Sequence, residues 1–349
     1  MRYRMLEWLA CPACRCEDLT LETSRTRELT TYHASWKASE TGVPGLDHDG
    51  RTLTDVVAGA LHCTECSQIY AITDGIPRMV IEGTETGPAS GHRWTRFEGK
   101  EPEYEANFAD MTHPLGPREY LGLSVLDVGC GYGRTAFYAA RYGAEVLALD
   151  ISPDAVASAA ENCASMPRVH VVQGDLYNPP LRTEAFDLVS CLGVIHHLER
   201  PKDAFDLLAR LVKSGGRLQT WVYGPRGGTV AAAANALRGA AQTMDDEALH
   251  SLSKSISSGL RLFSHTPTRL LRHTPVMKQV VTHLPAHDHH KWPFEVVVAD
   301  VYDRLRVPVT TWVTGEELER WYVDQGFADI QVSRRVRNAE SFRGLGVRR

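Results

Sequence analysis

The chain has 349 residues, 43% hydrophobic and 23% charged, with a formal net charge of −5. That balance predicts two or three globular domains and excludes disordered, collagenous and coiled-coil classes. No apolar run approaches the ~18 residues of a membrane helix, the opening MRYRMLEWLA carries Glu7 and is not expected to be a secretory signal, and the acidic total argues against a nucleic-acid partner.

Segment 1–82 reads as a zinc-ribbon domain with two knuckles, Cys11-Pro-Ala-Cys14 and Cys63-Thr-Glu-Cys66. Eight cysteines are too few for a disulfide scaffold in a chain of this length, and their clustering points to metal. Four thiolates close a tetrahedral structural zinc site with no open position. The 48 residues between Cys14 and Cys63 exceed the ~15–20 of a common ribbon, so a polar insertion is expected between the knuckles. Cys16 and His62 stand close enough to compete as ligands, whereas Cys130, Cys163 and Cys191 read as packing residues. A reducing, cytoplasmic location is the working expectation.

Residues 82 to 91, rich in Gly, Thr, Pro and Ser, read as a linker, and 92–120 as a helical cap. From residue 121 short apolar runs alternate with helical patterns. Strands are predicted at Ser124–Val128, Glu145–Leu149, Val169–Val172, Phe186–Cys191 and Arg217–Val222, and helices at Arg134–Tyr142, after Ser152-Pro153 and over Pro201–Val212. This alternation predicts an α/β fold with a doubly wound, Rossmann-like sheet over 121–228. The rhythm breaks over 229–300, which reads as a helical insertion with an Ala-rich helix and a histidine cluster at His283, His287, His289 and His290. It resumes over 301–349, where Thr314-Gly-Glu-Glu317 opens a helix and Ile330–Val336 forms a closing strand. The tail from Gln331 to Arg349 holds six arginines against Glu340 alone. It is either a grip for RNA phosphates or, as preferred here, a strand at the sheet edge where exposed charge discourages pairing.

Val125-Leu-Asp-Val-Gly-Cys-Gly-Tyr-Gly-Arg134 joins a buried strand to a helix. Dinucleotide sites use G-x-G-x-x-G; here the third glycine comes one residue early. Asp127 adds a carboxylate beside the loop, which suits a ligand with a cationic ammonium or sulfonium better than one with two phosphates. Asp150 ends the strand that follows the glycine loop and its helix, where an acid accepts hydrogen bonds from ribose hydroxyls. Gly174-Asp-Leu176 follows the third strand, and Cys191-Leu-Gly193 ends the fourth at the switch point.

These segments together resemble the class I S-adenosylmethionine-dependent methyltransferases, in particular the small-molecule branch that includes ubiquinone and menaquinone methylation. The resemblance covers about 121–223 and extends to Lys213-Ser-Gly-Gly-Arg-Leu218, Trp-Val-Tyr-Gly224 and Arg93-Trp-Thr-Arg-Phe97. It implies that Asp127, Gly129, Cys130, Gly131 and Gly133 hold the methionine end of S-adenosylmethionine. It further implies that Asp150 and Ile151 meet the ribose, Asp175 and Leu176 the adenine, and Cys191, Leu192 and Gly193 the floor. Met5-Leu-Glu-Trp-Leu-Ala-Cys-Pro-Ala-Cys14 with Tyr70–Val80 resembles the zinc-ribbon partner of tRNA, rRNA and release-factor methyltransferases, a module also found fused ahead of methyltransferase domains.

Methyl transfer needs a nucleophile held ~3 Å from the methyl group, and a base only where the nucleophile must lose a proton. His196 and His290 are the candidate bases, and His289, Trp94 and Phe97 the candidate acceptor contacts; structural roles stand beside each. The expected activity is methyl transfer to a small molecule in a biosynthetic pathway. RNA or protein methylation, a cofactor-binding scaffold, and cofactor-assisted chemistry without methyl transfer are the alternatives. The fourth strand lacks the Asn/Asp-Pro-Pro-Tyr end typical of amino-group methylation on nucleobases or glutamine.

Overall fold

The computed structural model describes residues 1–28, 54–84, 102–225, 236–271, 273–281, 284, 289–290, 292–306, 311–335 and 341–349. A 3-10 turn (Tyr3–Glu7) leads into an antiparallel meander of β1 (Leu19–Glu28), β2 (Thr54–Cys63), β3 (Ile69–Thr73) and β4 (Ile76–Met79). Helix α1 (Pro102–Thr112) precedes the alternating centre: β5 (Ser124–Val128), α2 (Arg134–Arg141), β6 (Glu145–Asp150), α3 (Pro153–Asn162), β7 (Val169–Gly174), β8 (Phe186–Leu192), α4 (Pro201–Leu211) and β9 (Val212–Tyr223). Each of these strands falls where the apolar runs predict it. All five residues of β5 and all six of β7 are buried, as expected for strands covered on both faces.

The parallel centre has the order β7-β6-β5-β8-β9, so the chain reverses its direction of travel between β5 and β8. Ligands of open α/β sheets bind in the crevice beyond the strand ends at such a switch. Ser152 caps α3 by accepting the Ala155 N–H, with Pro153 at the first helical position, and Thr314 does the same for the last helix by accepting from Glu317.

The ribbon is not a separate bead. Strand β4 pairs in parallel with β7, Arg78 beside Gln173 and Met79 beside Gly174, so ribbon and centre share one 11-stranded sheet. Trp8 packs on Phe186 and edge-on against His170, and Leu9 bridges Leu181. Met5, Trp8, Leu61 and Tyr70 belong to the same buried cluster as Leu126, Leu147 and Phe205. At the rim, Glu145 is held at about 2: burial opposes its ionisation, but the His170 hydrogen bond and the Arg4 guanidinium outweigh it.

The insertion has a core of its own. A helical turn at 236–241 is followed by α5 (Asp246–Leu260), a π turn (Arg261–His265), α6 (Thr266–Leu271), α7 (Pro275–Val281) and α8 (Phe294–Arg306). Ala241, Leu249, Val297, Val301, Tyr302 and Leu305 pack together between α5 and α8. The first half of the expected Ala-rich helix (Val230–Ala241) lies outside the described residues. No helix among the described residues is long and apolar enough to cross a membrane.

The C-terminal part departs from the sequence reading. After α9 (Gly315–Asp324), the closing strand β10 spans Phe327–Arg334, and β11 (Ser341–Arg348) inserts between it and β9. The glycines of Ser-Phe-Arg-Gly-Leu-Gly-Val-Arg348 mark a strand pressed on a ring: a Cβ at Gly344 would stand 2.5 Å from Tyr322, and one at Gly346 2.7 Å. Of the tail arginines, Arg334 is exposed on the edge strand β10 as expected, but three others are not exposed edge charges. Arg335 is 7% and Arg343 5% exposed; both pair with Asp110 of α1, and Arg335 also lies over Trp221. Arg348 reaches Glu184 and the last carbonyls of α4. Carboxylate, ring and carbonyl partners claim Arg335, Arg343 and Arg348, which removes these three from a phosphate grip as well. Arg337 lies outside the described residues.

Candidate functional site

Two sites emerge, one in the ribbon and one at the switch point. In the ribbon, Cys11 and Cys14 follow the 3-10 turn, while Cys63 ends β2 and Cys66 sits in the turn before β3. Arg15 and Ser67, at equivalent places after the two knuckles, both take left-handed backbone angles. The turns bring the four thiols together, with Cys11 Sγ 3.6 Å from Cys66 Sγ, Cys14 Sγ 3.5 Å from Cys63 Sγ, and all four within 4.8 Å of one another. Thiolates about 2.3 Å from a tetrahedral zinc stand about 3.8 Å apart, so the set fits a closed structural zinc site. The competing ligands are turned away: Cys16 contacts Thr64 and accepts from the Asp18 N–H, and His62 bonds Glu22. The Tyr70 hydroxyl lies 3.1 Å from Cys11 Sγ and can donate to a thiolate there. The purified protein should carry one zinc per chain by elemental analysis, lost when Cys63→Ser and Cys66→Ser are combined; zinc retained by that double variant would show that the ligands are others.

At the switch point, β5 delivers Asp127 and the glycine loop. Gly129 has φ +68°, and a Cβ there would lie 2.3 Å from Val194 Cγ2. The loops after β5 and β8 thus touch at a position with no room for a side chain. Gly131 and Gly133 also have positive φ, and Gly133 opens α2. Cys130, Cys163 and Cys191 are buried free thiols, as expected for packing residues.

Asp127 is 2% exposed, and its Oδ2 has no hydrogen-bond partner among the described residues. Burial, above all, pushes its pKa up to about 7; the Ala136 N–H opposes that shift and the charge of Asp150 adds to it. An orphaned, buried carboxylate oxygen beside the loop is a site for a cationic group, and the ammonium of S-adenosylmethionine fits it. Asp150 accepts the Gly131 and Ser152 N–H groups, each at 2.9 Å, which braces the glycine loop against β6. Its pKa is raised by burial against those same hydrogen bonds. Ile151 follows with its carbonyl held by Gln173. Asp175 accepts from the Tyr177 N–H and the Asn178 amide, so the turn after β7 is closed by the residue expected near adenine; Leu176 beside it is buried. Leu192 ends β8, and Gly193 turns the chain against the Trp221 ring.

His196 is fully buried at the crevice end of β8. Its Nδ1 accepts the Tyr223 N–H at 3.4 Å, and its ring lies 4.2 Å from Tyr223 and 4.1 Å from His197. Burial, aided by His197 and Arg238, drives its pKa well below the usual value, so the imidazole is neutral at pH 7. His289 stacks on Trp292 at 3.8 Å and faces Asp300, while the His290 carbonyl accepts from Arg269; these contacts lie within the insertion. Trp94 and Phe97, as well as His283 and His287, lie outside the described residues. The sequence reading did not single out the aromatic wall of Trp221, Tyr223 and Trp312 beside His196, nor the buried Arg335 over Trp221. Its only trace in sequence was the run Trp-Val-Tyr-Gly224 at the end of β9.

Comparison with known proteins finds a domain match over each of the two regions. Residues 126–220 match the family described as methyltransferase domain, and residues 2–75 match the family described as Trm112p-like protein. The chain therefore carries a Rossmann-like methyltransferase domain behind a Trm112p-like ribbon. An uncharacterized protein of Synechococcus sp. is 28% identical over 276 residues, 77% of this chain and 60% of that protein. The mitochondrial ubiquinone biosynthesis O-methyltransferase of Schizosaccharomyces pombe is 37% identical over 103 residues, 28% of this chain and 37% of that protein. The ubiquinone biosynthesis O-methyltransferase of Xanthomonas oryzae is 32% identical over 133 residues, 37% of this chain and 56% of that protein. The chain thus spans less than two thirds of the length of these relatives. Among solved structures, a phosphoethanolamine N-methyltransferase of Haemonchus contortus aligns with TM-score 0.42 at 16% identity, covering 70% of this chain and 52% of that one. Magnesium protoporphyrin IX methyltransferase of Synechocystis aligns with TM-score 0.40 at 19% identity, covering 72% and 84%.

Ligand binding beside Asp127 is expected to depend on pH. Its folded pKa lies above the unfolded value, so the ligand-free protein loses stability from this group as pH rises from about 4 to 7. A cation at Oδ2 selects the ionised form. Calorimetry should therefore find S-adenosylhomocysteine bound about tenfold more tightly at pH 8 than at pH 6, with the difference gone in Asp127→Asn. Equal affinity at both pH values in the unaltered protein would contradict the contact.

Proposed function

We propose that the chain is an S-adenosylmethionine-dependent methyltransferase acting on a small-molecule acceptor in a biosynthetic pathway. The observation that carries the reading is the buried Asp127 carboxylate, with one oxygen unpartnered, beside a glycine loop at the switch of a parallel sheet. Asp127 takes the ammonium, Gly129, Cys130, Gly131 and Gly133 shape the cradle, and Asp150 with Ile151 takes the ribose. Asp175 and Leu176 bound the adenine, and Cys191, Leu192 and Gly193 form the floor. S-adenosylmethionine, when bound, supplies a methyl group already activated by its sulfonium charge.

The protein's own part is to exclude water and to hold the acceptor on axis. Tyr223, Trp221 and Trp312 supply an apolar, aromatic wall for this at the end of β9. His196, neutral at pH 7, can take the proton of an acceptor with a phenol-like hydroxyl as its oxygen attacks. His196 is therefore proposed as the base for acceptors of that kind and as part of the wall otherwise. His289 and His290, with Trp94 and Phe97, are kept as proposed acceptor contacts from the insertion and cap, His290 as the second candidate base. Segments 1–82, 92–120, 121–228, 229–300 and 301–349 are proposed as ribbon, cap, cofactor core, lid and closing part of the sheet, in a cytoplasmic protein.

The ubiquinone relatives support a small acceptor. So does the engagement of Arg335, Arg343 and Arg348 by Asp110 and Glu184, which takes three of the tail's six arginines away from the candidate phosphate contacts of the RNA reading. Asp150→Ala should weaken S-adenosylmethionine binding by ~1.5–3 kcal/mol in calorimetry through loss of charge-assisted hydrogen bonds. Unchanged affinity in that variant, or salt-dependent tRNA binding at sub-micromolar affinity, would overturn the reading.

A further inference from the structure

Apart from His290, whose carbonyl Arg269 holds, the α5–α6 face of the insertion presents a surface that the proposed methyl transfer does not use. From Ala248 to His287 the sequence holds no aspartate or glutamate, yet it carries Lys254, Arg261, Arg269, Arg272 and Lys278 in a chain whose net charge is −5. The same stretch exposes large apolar side chains: Leu262 is 62%, Phe263 74%, Leu270 71% and Val280 53% exposed. A π turn at Arg261–His265 joins α5 to α6 without a break. The inner side of α5 is already satisfied by α8 through Leu249, Val297 and Val301, so these outward residues are not a misplaced core.

Between the cations lies a cleft lined by Ser257, Arg261, His265, Arg269, Trp292 and Phe294. Ser257 is fully buried, and its Oγ has no hydrogen-bond partner among the described residues. Arg261 lies over the Phe294 ring, and the Arg269 Nε donates to the His290 carbonyl, which holds both guanidinium groups along the cleft. Two guanidinium groups and an unpartnered hydroxyl, with no carboxylate among the lining residues, suit a phosphate. Exposed Leu and Phe interleaved with Arg suit the boundary between headgroups and acyl chains.

We infer that the α5–α6–α7 face, with its Arg261/Arg269 cleft, docks on the surface of an anionic phospholipid bilayer. Phe263 and Leu270 enter the acyl boundary and the cleft takes a lipid phosphate. This is attachment in the interface plane, without any crossing of the bilayer, and it holds whichever acceptor the core methylates.

The test is co-sedimentation of the full chain with two kinds of vesicle, phosphatidylcholine alone and phosphatidylglycerol mixed one to two with phosphatidylcholine. The inference predicts retention on the anionic vesicles that falls as salt rises, and little on phosphatidylcholine alone. Arg261→Gln combined with Arg269→Gln should lower the partition coefficient about 30-fold, at ~1 kcal/mol per cation near the surface. Phe263→Ser with Leu270→Ser should lower it as well, and because both side chains are largely exposed, the thermal midpoint of this variant should match the parent. Absence of retention on anionic vesicles would overturn the inference, as would equal retention by parent and variants. So would self-association of the parent that disappears in the Phe263→Ser, Leu270→Ser variant, since a second copy would then be what covers the face.

Discussion

The structure depends on one topological constraint: β5 and β8 lie side by side, but the chain leaves them toward opposite halves of the sheet. The connections diverge, so the crevice beyond the strand ends cannot be filled by a covering loop. Everything placed at those two ends is consequently held by backbone. Asp150 ties down the glycine loop through the Gly131 N–H, and Gly129 has lost its side chain to the approach of Val194. Asp127 is left with a desolvated carboxylate that the polypeptide itself satisfies only in part. A buried charge without a partner is costly, and the natural resolution is a ligand that brings the opposite charge.

The ribbon adds a second constraint. Closing a zinc site with ligands from two distant knuckles orders the arms β1 and β2, and the meander they begin ends in β4, which completes the edge of the parallel sheet beside β7. Trp8 and Leu9 bury against Phe186 and Leu181, so ribbon and catalytic sheet share one apolar cluster instead of meeting at a polar, separable interface. The ribbon thus meets the crevice at β7, after which Asp175 follows.

Much of this was legible from sequence, for identifiable reasons. Strands buried on both faces appear as short runs of Val, Leu and Ile, and β5 through β8 begin where those runs begin. The two knuckles declared their ligands by spacing alone. Other features left no periodic signature. The parallel pairing of β4 with β7 rests on two residue pairs, and β11 was hidden by glycines that serve the Tyr322 ring. Isolated arginines read as a patch, whereas Arg335 and Arg343 are claimed by Asp110, which lies on α1 ahead of the whole parallel sheet. The wall around His196 unites residues from β8, β9 and the segment before α9, an assembly that only tertiary packing creates.

The central claim is that the glycine loop, Asp150 and the turns after β7 and β8 hold one cofactor. Amide hydrogen exchange of the full chain, with and without saturating S-adenosylhomocysteine, tests it most directly. The account predicts added protection at 129–134, 150–152, 175–177 and 192–194, with the exchange of the cysteine knuckles unchanged. Protection confined to other segments, or none at all, would contradict it.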